Sequence, residues 1–550
     1  MTGVEEKKSK LWFYIFLLAW AVQMMAAVYF CCQKQGFHED EYYSYYSTSR
    51  TYGLFVEDNT WEEHDDYYQE FVVLENQGFQ YALVKQVQSW DVHPPVYYWI
   101  LHTICSLFPG RFSKWFGLII NLAAFGISMF LLYILALQVT KHDEKLSFLI
   151  CFFYGFTPAV TSSVVFIRMY ALLTVFVLLC AVLHIYIIER GSGKLPFGKF
   201  LLPIAIVTYL GFLTQYYYFI FLFFMAAAFC MYLLFRDKNL WNCIRYGCSI
   251  AVAMILAYLT YPSCLGQMFR GQRGAQATNN FFDISNTYMR LQFFWELLDE
   301  YVFGNILSFL LLLIVLLLLY IVRKGSSDSR RRIPVRKNVS YRILLFTVIG
   351  YFLVVSKTAL LLGNTSVRYQ TPVYGIAVLL IFTAVKELWG RCKENENGKI
   401  KYHEDASKKT RQKKIGMAAA VIICLIINLT GLLSDRVVFL YPEDASHVAF
   451  AKERAEQETP VIYIFDEGQS WCVWDCADEF FEYDRLYFSN QSHMEPITDT
   501  VIAGSNDLVV YISNTADADV QLQRIMDSNP NLKEYELQYQ EKYCDVYYFE

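Results

Sequence analysis

Four short polar motifs in an otherwise apolar chain carry side chains that can do chemistry. The first is His38-Glu39-Asp40-Glu41, in which the carboxylate of Asp40 or Glu41 can act as a general base or hold a metal ion. Because adjacent like charges repel, the pKa of one of these carboxyls is expected to rise. The alternative interpretation is an ordinary solvated acidic turn after a helix.

The second motif is His93-Pro94-Pro95, followed by Tyr97, Tyr98 and Trp99. Two prolines restrict the backbone and permit a helix to start directly after them, and the aromatic residues favour the lipid headgroup layer. His93 would then lie at the mouth of a cavity at the membrane surface. A plain helix start with an aromatic anchor is the competing interpretation.

The third and fourth motifs each place one arginine beside a tyrosine, in Arg168-Met169-Tyr170 and in Arg368-Tyr369. An arginine between two apolar segments must find water, a carboxylate or an anion, and its guanidinium can bind a phosphate with two hydrogen bonds. The alternative is that each side chain only extends to the membrane surface, as arginines at span ends often do.

The composition indicates which elements position these motifs. Hydrophobic residues make up 55% of the 550 residues and charged residues only 18%, where a soluble protein needs about a quarter. The net charge of −5 gives no reason to expect a nucleic-acid partner. The chain is therefore predicted to be a polytopic α-helical membrane protein.

Runs of roughly 20 apolar residues predict about eleven transmembrane helices. They cover residues 11–31, 115–139, 146–167, 169–188, 200–216, 217–235, 246–262, 304–322, 342–356, 372–389 and 415–433. The apolar stretch 94–108 is too short to cross, and we expect it to lie at the outer membrane face.

The lysines and arginines predict the orientation. With Lys7, Lys8 and Lys10 in the cytoplasm, the inner segments hold most of the 47 lysines and arginines, many of them in the loops 323–342 and 386–414. The N-terminus is then cytoplasmic and the C-terminus extracytoplasmic. We expect a multi-pass protein of the plasma membrane.

Three outer segments are long, at about 33–114, 263–303 and 434–550, and the first and the last show patterns of structure. The first outer loop, 33–114, shows helical patterns over 61–75 and 80–90. The tail, 434–550, holds 24 acidic residues against 7 basic ones and alternates strand-like runs (461–465, 485–488, 508–512, 543–549) with helical patterns (444–458, 519–528). We therefore predict a transmembrane domain over residues 1–433 and a small extracytoplasmic α/β domain over residues 434–550.

Within the tail, a disulfide between Cys472 and Cys476 is geometrically poor, and Cys544 is another candidate partner.

Taken together, the motifs resemble the GT-C superfamily of membrane glycosyltransferases, in the branch of the protein O-mannosyltransferases and the lipid A aminoarabinose transferase. The resemblance covers roughly residues 10–390 and depends on the order and spacing of five short motifs: Asp40-Glu41, His93-Pro94-Pro95, Arg168-x-Tyr170, Thr214-Gln215-Tyr216-Tyr217 and Arg368-Tyr369. Two positions depart from it. Ala171-Leu172-Leu173 stands where many members carry a second acidic residue, and Gln215 stands where many have histidine.

The resemblance implies an inverting transfer of a sugar from a polyprenyl-phosphate donor to an acceptor hydroxyl at the outer membrane face. It implies that Asp40, with Glu41 beside it, is the catalytic carboxylate. The donor phosphate would be bound by side chains of the other motifs, namely His93, Arg168, Tyr170, Arg368 and Tyr369. The sugar, the lipid carrier and the acceptor (a glycan, a protein or a lipid) stay open. No metal ligand and no cofactor are assigned, although a divalent metal stays compatible with the acidic motif.

Two other function classes fit a polytopic chain. A lipid-carrier flippase or another transporter predicts ionisable groups or broken helices near the middle of the membrane. A non-catalytic scaffold that presents its tail predicts no common pocket. The enzyme predicts that Asp40, Arg168 and Arg368 converge on one outward-facing pocket.

Overall fold

The computed structural model describes residues 3–49, 56–191, 193, 195–325, 338–397 and 406–550. The predicted basic cluster Arg330-Arg331-Arg332 lies outside the described residues. The described part is mostly helical, with one sheet formed largely by the tail.

The first half has one long apolar helix, four short helices in the first outer loop and then a series of mostly apolar helices. In chain order they are α1 (Gly3–Gln33), α2 (Glu39–Ser49), α3 (His64–Tyr68), α4 (Tyr81–Trp90), α5 (Val96–Ser106), α6 (Lys114–Val139), α7 (Glu144–Tyr154), α8 (Pro158–Val165), α9 (Tyr170–Arg190), α10 (Leu202–Phe212), α11 (Tyr217–Met231) and α12 (Leu240–Thr260).

The second half adds seven helices before the tail and four helices within it. They are α13 (Ser263–Phe269), α14 (Gln272–Phe282), α15 (Thr287–Phe303), α16 (Leu307–Gly325), α17 (Val339–Thr358), α18 (Thr371–Asn397), α19 (Ala406–Leu432), α20 (Asp444–Glu456), α21 (Ala477–Phe480), α22 (Thr500–Gly504) and α23 (Ala518–Ser528). Short 3₁₀ helices cover Gln69–Phe71, Glu75–Gln77, Gly363–Tyr369 and Glu467–Cys476, and π-helical turns cover Phe197–Leu201 and Tyr232–Arg236.

Within the described residues, nine helices are long and apolar enough to cross a membrane, and the number is eleven if each of two bent helix pairs is one span. The bent pairs are α7 with α8, at 58°, and α15 with α16, at 92°. Ten of the eleven predicted spans coincide with one of these helices or with the pair of α7 and α8, whereas the predicted span 304–322 matches only α16, the second helix of its pair. The chain is a multi-pass membrane protein.

The segment 94–108 forms α5, which has 11 residues. At 1.5 Å per residue such a helix is about half the thickness of the hydrocarbon core, so it does not cross. The sequence-based decision against a span here is confirmed.

The sheet has six strands in the order β1-β3-β2-β4-β6-β5. They cover β1 (Thr60–Glu63), β2 (Val461–Phe465), β3 (Arg485–Asn490), β4 (Leu508–Ser513), β5 (Tyr535–Gln540) and β6 (Cys544–Phe549). The central strands β3, β2 and β4 are parallel, and the outer pairs β1–β3, β4–β6 and β6–β5 are antiparallel. All five residues of β2 are buried, as expected for a strand covered on both faces.

One strand of this sheet comes from the first outer loop. β1 pairs with β3 so that Thr60 lies opposite Phe488. The predicted helix over 61–75 is therefore wrong at its start, because Trp61, Glu62 and Glu63 are held extended by a partner far along the chain. The helix predicted over 80–90 is confirmed as α4.

Cys476 and Cys544 are the pair of tail cysteines that the fold brings together. Their sulfur atoms lie 3.6 Å apart, and both side chains are buried. Cys472 is buried nearby in the sequence and its thiol is directed to the side-chain oxygen of Gln469.

Acidic side chains gather where the tail meets the first outer loop. Burial, together with the charges of Asp478 and Glu541, raises the pKa of Asp444 to about 8. Asp444, His447 and Glu541 bring one ligand-type atom each within 4.8 Å of one another, but His447 and Glu541 already pair with each other. A Cβ on Gly36 would lie 1.6 Å from Oδ2 of Asp444, so only glycine permits this close approach.

Asp444→Asn is expected to stabilise the protein most at pH 8 and above, and progressively less as the pH falls towards 4. The folded state keeps the Asp444 proton up to about pH 8, whereas the unfolded chain loses it near the ordinary value of 3.8. Unfolding therefore releases this proton, and the contribution of Asp444 to stability is lost as the pH rises through that window. Thermal unfolding in detergent at several pH values measures it. An equal shift at pH 5 and pH 9 would contradict the assignment.

Candidate active site

Asp40 lies in the first turn of α2, six residues beyond Lys34 at the end of the first span. The turn is shaped by His38, whose carbonyl accepts from the backbone N–H of Glu41 at 2.7 Å and whose Nδ1 accepts from that of Asp40 at 3.1 Å. Three carboxylates in a first helical turn are also favoured by the helix dipole. The side chain of Asp40 keeps 30% exposure, so it opens to a solvent-accessible space.

Two buried arginines meet the carboxylate of Asp40. Nη2 of Arg368 lies 3.2 Å from Oδ2, and Nη2 of Arg168 lies 3.5 Å from Oδ1. The arginine side chains are only 3% and 4% exposed. The three side chains that the sequence predicts to converge therefore lie together, with both arginines within ion-pair distance of Asp40.

Arg168 is positioned by a break between two helices. Thr157 caps α8 and Pro158 occupies its first turn, and the chain leaves the helix at Phe166 in an extended conformation. Nδ2 of Asn121 on α6 donates to the carbonyls of Val164, at 3.1 Å, and Phe166, at 2.5 Å, which satisfies the broken helix end. The Arg168 guanidinium then donates from Nη1 to the hydroxyl of Tyr98 at 2.9 Å and to the carbonyl of Asp40 at 3.0 Å.

Arg368 lies in the 3₁₀ helix Gly363–Tyr369. Its guanidinium is held between two aromatic rings, with Cζ 5.1 Å from the ring centres of both Phe166 and Tyr369. Among the described residues, its Nε and Nη1 and the Nε of Arg168 have no hydrogen-bond partner although they are buried. Buried cationic donors without partners are a ready site for an anion.

The charges around Asp40 and its burial have opposite effects on its pKa. Burial alone would raise the pKa of Asp40, but Arg168 and Arg368 hold it well below its ordinary value. Burial raises the pKa of Glu41. One carboxyl of the pair thus has a raised pKa, as expected, with burial rather than the neighbouring charge as the main cause.

Glu41 differs from Asp40 because it is completely enclosed. Its Oε2 accepts from Nζ of Lys34 at 2.8 Å and from the backbone N–H of His38 at 2.7 Å, and its Oε1 accepts from the N–H of Ile167 at 2.6 Å. Neither Glu41 nor Lys34 is exposed. Glu41 therefore joins α2 to the turn that carries Arg168.

Glu41→Gln is expected to destabilise the protein by about 3–5 kcal/mol, because it leaves the ammonium of Lys34 buried without its counter-charge. Thermal unfolding in detergent measures the loss. The double variant Lys34→Met with Glu41→Leu is expected to recover part of it, since both charges are then absent. A Glu41→Gln protein with unchanged stability and no transfer would instead favour a direct catalytic role.

His93, Tyr170 and Tyr369 complete the predicted set. Burial, followed by the charge of Arg168, lowers the pKa of His93 well below its ordinary value, and its Nδ1 has no partner among the described residues. Tyr170 and Tyr369 pack edge to face with ring centres 5.7 Å apart, and the Tyr369 hydroxyl accepts from Nη2 of Arg368 at 3.3 Å.

Among the comparisons with known proteins, only the comparison with solved structures finds similar proteins. No protein-family model matches the chain, and no curated protein gives a significant sequence match. The crystal structure of ArnT from Cupriavidus metallidurans bound to undecaprenyl phosphate superposes with a TM-score of 0.50 over 98% of this chain and 97% of that one, at 10% identity. The apo state of the same ArnT gives 0.50 over 99% and 98%, at 12% identity.

The chain shares its fold with this ArnT. The match with ArnT extends over nearly the full length of both chains, so it includes the tail as well as the spans. The apo oligosaccharyltransferase of Archaeoglobus fulgidus is less similar, with a TM-score of 0.45 over 94% of this chain and 71% of that one, at 11% identity.

Sequence reasoning missed several residues that shape this site. Lys34 reads as an ordinary basic residue after a span, and only the fold shows that it neutralises Glu41. Phe166, two residues before Arg168, reads as part of the span but covers the guanidinium of Arg368. Ser44 lies one helical turn after Asp40, a spacing that could have indicated its contact with Nη1 of Arg168 at 3.3 Å.

Proposed function

We propose that this protein is a membrane glycosyltransferase that moves a sugar from a polyprenyl-phosphate donor to an acceptor hydroxyl, with Asp40 as general base. The observation that carries the proposal is the pair of buried arginines with unpartnered donors on either side of one accessible carboxylate. That arrangement offers an anion site and a proton acceptor within one pocket, which transfer from a lipid phosphate needs.

The proposed step is a single displacement. The acceptor oxygen bonds to the anomeric carbon while its proton passes to Asp40, and the bond between that carbon and the phosphate oxygen breaks. The electron pair leaves with the polyprenyl phosphate, whose charge Arg168 and Arg368 stabilise. One displacement inverts the configuration at the anomeric carbon.

The ion pairs of Asp40 suggest how the base becomes active. Without donor, the two arginines hold its pKa low, and a strongly acidic carboxyl is a poor proton acceptor. A phosphate that binds the same guanidinium groups competes for them and weakens their hold on Asp40, so the pKa of Asp40 rises towards its ordinary value. We therefore expect the donor to bind first and to activate the base.

An apolar groove between α10 and α12 supports a lipid-linked donor. Its volume is about 700 Å³, and its lining, which includes Trp241 and Tyr209, is almost entirely apolar. Its end at Thr260 adjoins Tyr261, whose hydroxyl donates to the carbonyl of Gln88 at 2.6 Å and lies 3.4 Å from the carbonyl of His93. We propose that the polyprenyl tail occupies this groove while its phosphate reaches the arginines.

The proposed orientation places the N-terminus in the cytoplasm and the domain 434–550 outside, so that transfer takes place at the outer face of the plasma membrane. The acceptor is a hydroxyl of a glycan, a protein or a lipid.

The test is a transfer assay with purified protein and a panel of radiolabelled polyprenyl-phosphate sugars, using cell-envelope fractions as acceptors. Label should move to an acceptor with release of polyprenyl phosphate. Movement of intact donor across vesicle membranes without release of polyprenyl phosphate would support the flippase alternative and contradict the enzyme.

A further inference from the structure

The three acidic residues that open α2 bind three different parts of the molecule. Successive residues of a helix point about 100° apart, so neighbours in sequence face different directions. Asp40 faces the arginines and Glu41 faces Lys34. Glu39 instead faces the tail, where its carboxylate accepts from Nζ of Lys542 at 2.6 Å and from the hydroxyl of Tyr543 at 3.2 Å.

A second contact joins the tail to the same helix. The hydroxyl of Tyr42 donates to Oδ1 of Asp478 at 2.5 Å and accepts from the backbone N–H of Asp478 at 3.3 Å. Tyr42 is 1% exposed, so this hydrogen bond is shielded from water and correspondingly strong. Glu39 and Tyr42 are neighbours on α2 one turn apart, with Asp40 between them in sequence.

The first residues of the tail contact the other side of the site. Nζ of Lys34 donates to the carbonyl of Phe439 at 2.8 Å, and the N–H of Gln35 donates to that of Leu440 at 2.8 Å. The ring of Phe439 stacks on Phe166 with centres 4.0 Å apart, and Phe166 in turn lies against Arg368. The tail therefore supports both the carboxylate and one of its arginines.

We propose that the C-terminal domain is a positioning element of the active site, with Lys542 and Asp478 as positioning residues that act on Asp40 through Glu39 and Tyr42. This inference rests on the proposed function for its consequence in catalysis. A catalytic group must be held within about 0.5 Å of its productive place, and a 1 Å displacement can cost about 100-fold in rate. The tail thus sets kcat without touching the substrate.

The experiment compares Tyr42→Phe, Lys542→Gln and the double variant in the full-length protein. Each single change is expected to lower kcat about 10-fold and the double change about 100-fold, with the Kd for polyprenyl phosphate unchanged, since neither residue touches the anion site. Lys542→Arg keeps the charge and is expected to restore the rate. Lys533→Gln, on the exposed surface of the same domain, is the matched control with wild-type kcat.

Hydrogen–deuterium exchange of the amides of residues 39–44 separates this inference from the proposed function. If no donor is turned over by the wild type but exchange there rises in the variants, the proposed function fails and the positioning role stands. Lys542 is 51% exposed, so Lys542→Gln tests the idea even if Tyr42→Phe misfolds. Unchanged kcat together with unchanged exchange in Lys542→Gln would overturn the inference.

Discussion

Asp40→Asn is expected to abolish sugar transfer, by about 1,000-fold or more, and at the same time to bind polyprenyl phosphate more tightly, by about tenfold. The amide cannot accept the acceptor's proton, which removes the base. It also no longer competes with a phosphate for Arg168 and Arg368, which lie 3.5 and 3.2 Å from the carboxylate. A lipid-phosphate binding measurement beside the transfer assay reports both effects.

The matched control is Asp65→Asn, which removes one carboxylate of the same outer loop where the side chain is 87% exposed. It should leave transfer and binding unchanged. Transfer retained by purified Asp40→Asn protein would remove Asp40 as the base. Loss of transfer with weaker phosphate binding would instead show that Asp40 helps to build the anion site and does not compete with it.

Arg368→Ala is expected to weaken donor and polyprenyl-phosphate binding about 100-fold while the KM for the acceptor changes little. The guanidinium is 3% exposed and has two donors free for an anion, so its loss removes charge-assisted bonds in a dry environment. The same variant should move the acid limb of kcat/KM to higher pH. Removing one of two cations raises the pKa of Asp40, so at a given low pH less of the base is ionised.

Arg270→Ala is the control, because Arg270 is an exposed arginine directly after α13. The donor affinity of the Arg270→Ala variant and the pH profile of its kcat/KM should match those of the wild type. Unchanged donor affinity in Arg368→Ala would contradict the phosphate site. An acid limb that shifts to lower pH would contradict the pairing of Arg368 with Asp40.

Span positions could be predicted because the physical requirement is local. A helix that crosses the membrane needs roughly 20 apolar residues wherever it packs, so length and hydropathy are sufficient. The strands β2 and β4 were also recognisable, because buried parallel strands read as continuous apolar runs. β1 was not, since Thr60–Glu63 has a polar composition and becomes a strand only beside β3. β5, with four of its six residues exposed, was missed for the same reason.

The residue types of the site could be predicted, whereas their individual surroundings could not. An acidic residue just outside a span and arginines at two other span ends suggest a common pocket through their topology alone. Which of Glu39, Asp40 and Glu41 meets the arginines depends on how α2 is rotated, and that is decided by Lys34, Ile167 and the tail. A difference of one residue, or 100° on the helix, separates an accessible base from a buried structural carboxylate.

The pairing of β1 with β3 has a consequence for biosynthesis. Thr60 leaves the ribosome more than 400 residues before its partner Phe488, and the remaining membrane helices are made in the interval. The segment that forms β1 therefore has no strand to pair with until β3 has been synthesised, when translation is nearly finished. A chain truncated before β3 can insert every span and still lack the last step of maturation. Completion of the polypeptide, rather than membrane insertion, is then the event that completes the sheet.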